Sequence, residues 1–121
     1  MYIEETINSM KRRPGMYVKK ENVEYIYYFI AGNCLACQYL SEDEMDKMFS
    51  SWFGKWLLQW IEENINPMYN PMKSFWYLDI KAIAGGEENE VPLFYELCEK
   101  FFEDYRNRRG YFKDLPLENE E

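Results

Sequence analysis

The chain has 121 residues, 22 acidic against 14 basic, and a net charge of −8 with no histidine. Its 47% hydrophobic and 19% aromatic content exclude a disordered chain, and its length fits one domain with a core that needs neither disulfide nor metal. Without histidine, the commonest general base, metal ligand and pH switch are missing, and an acidic surface disfavours nucleic acid as a partner.

The charge is uneven. Residues 1–20 carry Lys11, Arg12, Arg13, Lys19 and Lys20 against Glu4 and Glu5, a net of +3, so the remaining chain carries −11. The N-terminal segment is polar and no run approaches the ~20 apolar residues of a membrane span, so no leader and no membrane association are expected. A cytoplasmic location, with reduced cysteines, is the expectation.

In chain order, residues 2–12 predict a helix with Ile3, Ile7 and Met10 on one face and Lys11, Arg12 and Arg13 at the end that favours positive charge. Pro14-Gly15 ends it and suits the centre of a type II turn, from which Met16 and Tyr17 would swing back as a hydrophobic clasp. Residues 21–40 predict a second helix with a stripe of Val23, Ile26, Ile30, Cys34 and Cys37, widened by Phe29 and Leu35. Gly32 in its middle suggests a close helix crossing. Ser41 and Glu44 form a capping box ahead of a short helix that ends at Phe49. Residues 51–65, with Phe53, Trp56, Leu57, Trp60 and Ile61 at i, i+3, i+4, i+7 and i+8, predict another helix, capped by Ser50 or Ser51.

The segment 66–71 reads as a loop. Residues 74–84 fit either a helix or a strand. A helix is favoured, because Ser74 can cap it and Gly85-Gly86 can stop it. Residues 91–107 predict the last long helix, with Pro92 in its tolerated first turn and Glu87, Glu88 and Glu90 ahead of it. Beyond Gly110 the periodicity fades, and residues 111–121 read as a loose acidic tail. The sum is a mainly α chain, a single compact domain of five to six helices over residues 1–110.

No pattern carries catalysis. There is no nucleophile elbow and no phosphate-binding glycine loop, so no enzyme and no cofactor are expected. Cys34-x-x-Cys37 falls mid-helix on the apolar stripe. With Cys98 the thiols number three, one ligand fewer than a structural zinc site needs, so core packing is the reading. The acidic runs Glu42, Asp43, Glu44, Asp46 and Glu87, Glu88, Glu90 suit helix N-termini, and they also suit contact with a basic protein partner. Trp and Tyr are more numerous than one helix face can bury. Tyr25, Tyr28 and Trp52 are the candidate interface anchors.

The stretch Met10-Lys-Arg-Arg-Pro-Gly-Met-Tyr17 resembles a segment near the N-terminus of the ATPase domain of DNA gyrase and its relatives, but the rest of that ATPase signature is absent. A second resemblance covers residues 3–106. It runs from Arg12, Arg13, Pro14, Gly15, Met16 and Tyr17, through FIAGNCLA (29–36) and SWFGKWLLQWI (51–61), to SFWYLDI (74–80) and PLFYELCEKFFEDYR (92–106). This order is similar to that of small bacterial immunity-type proteins of polymorphic toxin systems, from which Lys19 departs by replacing a small residue. The resemblance implies a cytoplasmic protein that neutralises a cognate toxin by occlusion and with no catalytic residues; the acidic surface adds the expectation that the toxin's surface is basic. Two alternatives stay open: an adaptor for some other protein, and a degenerate gyrase-type nucleotide-binding fragment.

Overall fold

The computed structural model describes residues 2–71 and 75–107 and, among them, contains helices and no strand. Five α-helices follow one another: α1 (Tyr2–Arg12), α2 (Val23–Leu40), α3 (Glu44–Asn64), α4 (Trp76–Ala84) and α5 (Glu87–Asn107), with a 3-10 turn at Pro14–Met16. Helix α2 packs against α3 and α4, α4 lies along α5, and α1 closes the bundle against α3 and α5. The mainly α fold of one compact domain is as expected from the sequence. Ser74, the expected cap, and the tail 111–121 lie outside the described residues.

Helix α1 docks through Ile3, Ile7 and Met10, the three positions its periodicity marks. Its exit differs from the expected type II turn. Gly15 has no positive φ; Met16 N–H donates to Arg13 O at 3.1 Å and Tyr17 N–H to Pro14 O at 3.0 Å, so the corner is one turn of 3-10 helix. Proline suits its first position because the ring presets φ and the missing N–H has no helical partner there. The clasp is half formed. Tyr17 meets Phe29 edge-on at 5.6 Å, whereas Met16 is exposed. Asn22 then caps α2, its side chain accepting from Tyr25 N–H at 2.9 Å.

The two helices expected over 41–49 and 51–65 are one. Ser50 and Ser51 lie inside α3 rather than at a cap. Serine costs a helix interior only about 0.5 kcal/mol relative to alanine, and the apolar register runs unbroken through Met45, Phe49, Phe53 and Trp56. Ser50 also has a task there, its hydroxyl accepting from Trp76 Nε1 at 3.0 Å. The cap of α3 is Asp43, which accepts from Met45 N–H at 2.9 Å, and not Ser41 of the expected capping box.

Residues 76–84 resolve as helix. Gly85 in the left-handed region (φ 79°) ends α4, as glycine does at no steric cost. Helix α5 begins four residues earlier than expected, at Glu87. Glu87, Glu88 and Glu90 are therefore its first turn, and Pro92 lies inside it. The proline removes the bond that Glu88 C=O would accept, and the helix continues because Phe94, Tyr95, Leu97, Cys98, Phe101 and Phe102 are all buried beyond it.

The core is aromatic. Phe53, fully buried, meets Trp56, Trp76, Phe94 and Phe101 with ring centroids 5.1–6.0 Å apart, and Trp76 stacks on Phe94 at 5.3 Å. Gly54, where α3 faces α4, lies against Trp76; a Cβ there would stand 3.7 Å from the indole. Gly32 is not at a helix crossing. It is exposed, and an added Cβ would meet nothing within 4 Å.

Candidate functional site

Two surfaces concentrate chemistry. The first is the outer face of α2. Apart from Glu24 this helix has no charged side chain, and it is apolar on more than one face. A helix of that kind is ordinarily surrounded by protein. Here Val23, Ile26, Tyr27, Ile30 and Cys34 turn inward, while Tyr25, Tyr28, Leu35, Tyr39 and Leu40 stay in solvent, the last three at 67%, 87% and 84% exposure. Tyr25, Tyr28, Gly32, Leu35 and Tyr39 are spaced i, i+3, i+7, i+10 and i+14, the seam of a helix that meets another element. At 1.5 Å per residue this stripe runs for about 21 Å.

The stripe is anchored at one end. Tyr28 meets Tyr27 edge-on at 5.2 Å and Tyr77 at 6.1 Å, and Tyr27 also touches the half-exposed Phe75 at 5.5 Å. Rings held this way bring contact area with little entropy left to lose. Glu42 and Glu44, both exposed, follow the stripe at the C-terminal side of α2.

The second surface is a cleft of about 660 Å³ between the end of α1 and the first half of α5. Glu21, Glu87, Glu88, Glu96 and Glu99 surround it, with Lys11 as the base among its lining residues and Val91, Pro92 and Tyr95 between them. Lys11 pairs with Glu99 at 3.3 Å, an exposed contact worth at most about 1 kcal/mol.

The sequence-derived candidates divide between these surfaces and the interior. Tyr25, Tyr28, Glu42 and Glu44 are exposed beside or on the α2 stripe, and Glu87 and Glu88 rim the cleft. Asp43 is the α3 cap. Three candidates are inside instead, which corrects their assignment to a contact surface. Asp46 is fully buried, accepting from Ile3 N–H at 2.8 Å and from the Ser41 hydroxyl at 3.1 Å; it caps α1 from the first turn of α3. Glu90 is buried against α4, where Lys81 Nζ reaches it at 3.1 Å. Trp52 is buried and packs against Tyr105 at 6.2 Å.

Arg12 and Arg13 are exposed; Arg12 reaches back to the Ser9 hydroxyl at 3.3 Å. A helix C-terminus is the wrong pole for a phosphate, so the end of α1 does not favour an anion at these arginines. The three cysteines are free thiols. Burial pushes the Cys34 thiol up to about 11 and raises Cys98 well above its ordinary value; Cys37 is raised by burial and then by Asp46. Thiols so shifted are protonated at neutral pH and make poor nucleophiles. Among the described residues, no group of three or more Cys, Asp or Glu is placed to hold a metal ion, and no helix is long and apolar enough to cross a membrane.

Leu35, expected to widen the inward stripe of α2, is instead 67% exposed, because it lies away from the line of Ile26, Ile30 and Cys34 that packs inward. Sequence reasoning missed Tyr39, Leu40 and Tyr95; the first two were legible as residues off that inward line, whereas Tyr95 carried no such signal, since its position is an ordinary core position of α5. No family model, no curated protein and no solved structure matches the chain.

Proposed function

We propose that the protein is an immunity-type binder that neutralises a cognate bacterial toxin in the cytoplasm by covering its active or binding surface, without chemistry of its own. The observation that carries this reading is the exposed apolar stripe of α2, an aromatic and aliphatic seam on a chain with a net charge of −8. Interfaces with lasting affinity have such a core of aromatic anchors inside a polar rim. The acidic surround adds steering toward a basic partner, which raises the association rate more than it deepens the affinity. The run of short motifs from Arg12 to Arg106 that resembles immunity-type proteins supports the same reading.

Co-expression with the product of the neighbouring gene tests it. That product is expected to be toxic alone and harmless in the presence of this protein, and the two are expected to co-purify. In the complex, Tyr28→Ala combined with Tyr39→Ala is expected to lower affinity about 100-fold or more, as truncation of two central anchors does. A neighbour that is neither toxic nor bound overturns the proposal, and a neighbour that is bound but harmless replaces it with the adaptor reading.

A further inference from the structure

The α1–α5 cleft is more acidic than helix stability asks for. Glu87 and Glu88 lie in the first turn of α5, where negative charge suits the helix dipole. Glu96 and Glu99 do not. They lie beyond the second turn, three residues apart on one face, where like charges repel and weaken a helix. Glu21 adds a fifth carboxylate from the segment ahead of α2.

The lining alternates along the helix. Glu87 and Glu88 come first, Val91, Pro92 and Tyr95 follow, and Glu96 and Glu99 close the row. From Glu88 to Glu99 the helix rises about 16 Å, so two carboxylate groups stand either side of an apolar stretch.

Tyr95 supplies an independent sign of a missing ligand. Its side chain is 6% exposed, it lines the cleft, and its buried hydroxyl has no hydrogen-bond partner among the described residues. Buried hydroxyls are nearly always satisfied, because an unpaired one keeps the full desolvation penalty. The phenol holds its proton at neutral pH, since burial first and then the carboxylate of Glu21 raise its pKa. Its oxygen and its own hydrogen thus both stay unpaired among the described residues, on a side chain that lines the cleft.

We propose that this cleft binds a linear polyamine, its ammonium groups among the two sets of glutamates and its methylene chain along Val91, Pro92 and Tyr95. A compact metal ion does not match a row of carboxylates spread over about 16 Å of helix, and a hard cation has no use for the apolar middle. An elongated organic cation uses both, with ammonium N–H groups for the carboxylates and the Tyr95 oxygen, and methylenes for the apolar stretch. The cleft shares no lining residue with the α2 stripe, and the proposal does not depend on the toxin-binding reading.

Calorimetry on the intact protein with putrescine, spermidine and spermine, at low and at moderate salt, tests the proposal. Affinity is expected to rise by about tenfold for each added amine and to fall as salt rises. Glu96→Gln with Glu99→Gln is expected to reduce spermine affinity by about tenfold or more while changing thermal stability little, since relief of the like-charge pair offsets loss of the exposed Lys11–Glu99 contact. Tyr95→Phe is expected to keep the fold, having no hydrogen bond to lose, and to weaken spermine several-fold. Three outcomes overturn the proposal: magnesium competing as well as putrescine at equal ionic strength, the glutamine variants binding spermine like the parent protein, or an extended lysine peptide of the same charge binding more tightly than spermine, which would assign the cleft to a protein segment.

Discussion

The two acidic runs look alike in sequence and end up in different physical situations. In residues 42–46, the inward member is Asp46, fully buried and satisfied by neutral donors, the backbone N–H of Ile3 and the hydroxyl of Ser41. In residues 87–90, the inward member is Glu90, satisfied by the charged Lys81, whose side chain is 39% exposed. The outward members of both, Glu42 and Glu44 on one side and Glu87 and Glu88 on the other, remain in solvent. The difference shows that an acidic residue beside a helix start has at least three fates: it caps its own helix, caps another helix across the core, or stays at the surface. Only the packing decides among them, and the energies differ by several-fold.

The largest effect is expected at Asp46. Its carboxylate ties the first turn of α1 to the first turn of α3, joining residues 43 apart in sequence. Asp46→Ala strands the buried Ile3 N–H and removes the partner of the Ser41 hydroxyl, at an expected cost of about 2–4 kcal/mol in urea unfolding. Asp46→Asn keeps one oxygen acceptor and is expected to cost roughly half as much. A loss below about 0.5 kcal/mol for the alanine variant would mean that the carboxylate is not what fastens α1. The two runs would then be alike, neither of them fastening one helix to another strongly.

A smaller effect is expected at Glu90. The ion pair with Lys81 bridges α4 and α5, but its lysine is partly in water, so solvent screening removes most of its Coulomb energy. Glu90→Gln is expected to cost about 0.5–1 kcal/mol, with most of the difference gone in 0.5 M salt. A salt-insensitive loss as large as that of Asp46→Ala would instead give Glu90 a capping-like structural role and erase the contrast between the two runs.

Most of the helices, the inward faces of α1 and α5 and much of that of α2 were legible because each depends on local periodicity. Ile3, Ile7 and Met10 announce a buried face whatever they pack against. The role of Asp46 was hidden by one local rule. Serine is a good cap, so a helix start at Ser50 or Ser51 breaks the chain there, and the register of Phe53 does not carry back across the break. In one continuous helix, Asp46, Phe49 and Phe53 stand at i, i+3 and i+7 and share a face, so Asp46 points into the core. Trp52 is buried for the same reason, four residues before Trp56 on the inward side. The type II turn at Pro14-Gly15 was a local rule overridden, since a 3-10 turn serves the same corner without a positive φ. The α1–α5 cleft was not legible at all, because Lys11, Glu21 and Glu99 are brought together only by the packing of α1 on α5.

The smallest stability effect is expected at the outward acids, and it separates surface charge from structure most cleanly. Glu42 and Glu44 are exposed, and the N-terminal capping of α3 belongs to Asp43. Glu44 gains a little from the helix dipole, so Glu42→Gln with Glu44→Gln is expected to change stability by no more than about 0.5 kcal/mol. The same pair of substitutions removes two negative charges next to the apolar stripe of α2. If those charges steer a basic partner, the association rate at low salt is expected to fall about two- to fivefold while the dissociation rate stays nearly constant, and the difference is expected to vanish as the Debye length shortens. Tyr28→Ala acts in the opposite sense, on dissociation and not on approach, because an aromatic anchor contributes only after contact. A surface that responds to both substitutions in this crossed pattern is an interface with an apolar centre and a steering rim. One in which neither rate moves leaves the exposure of Leu35, Tyr39 and Leu40 without a partner to explain it.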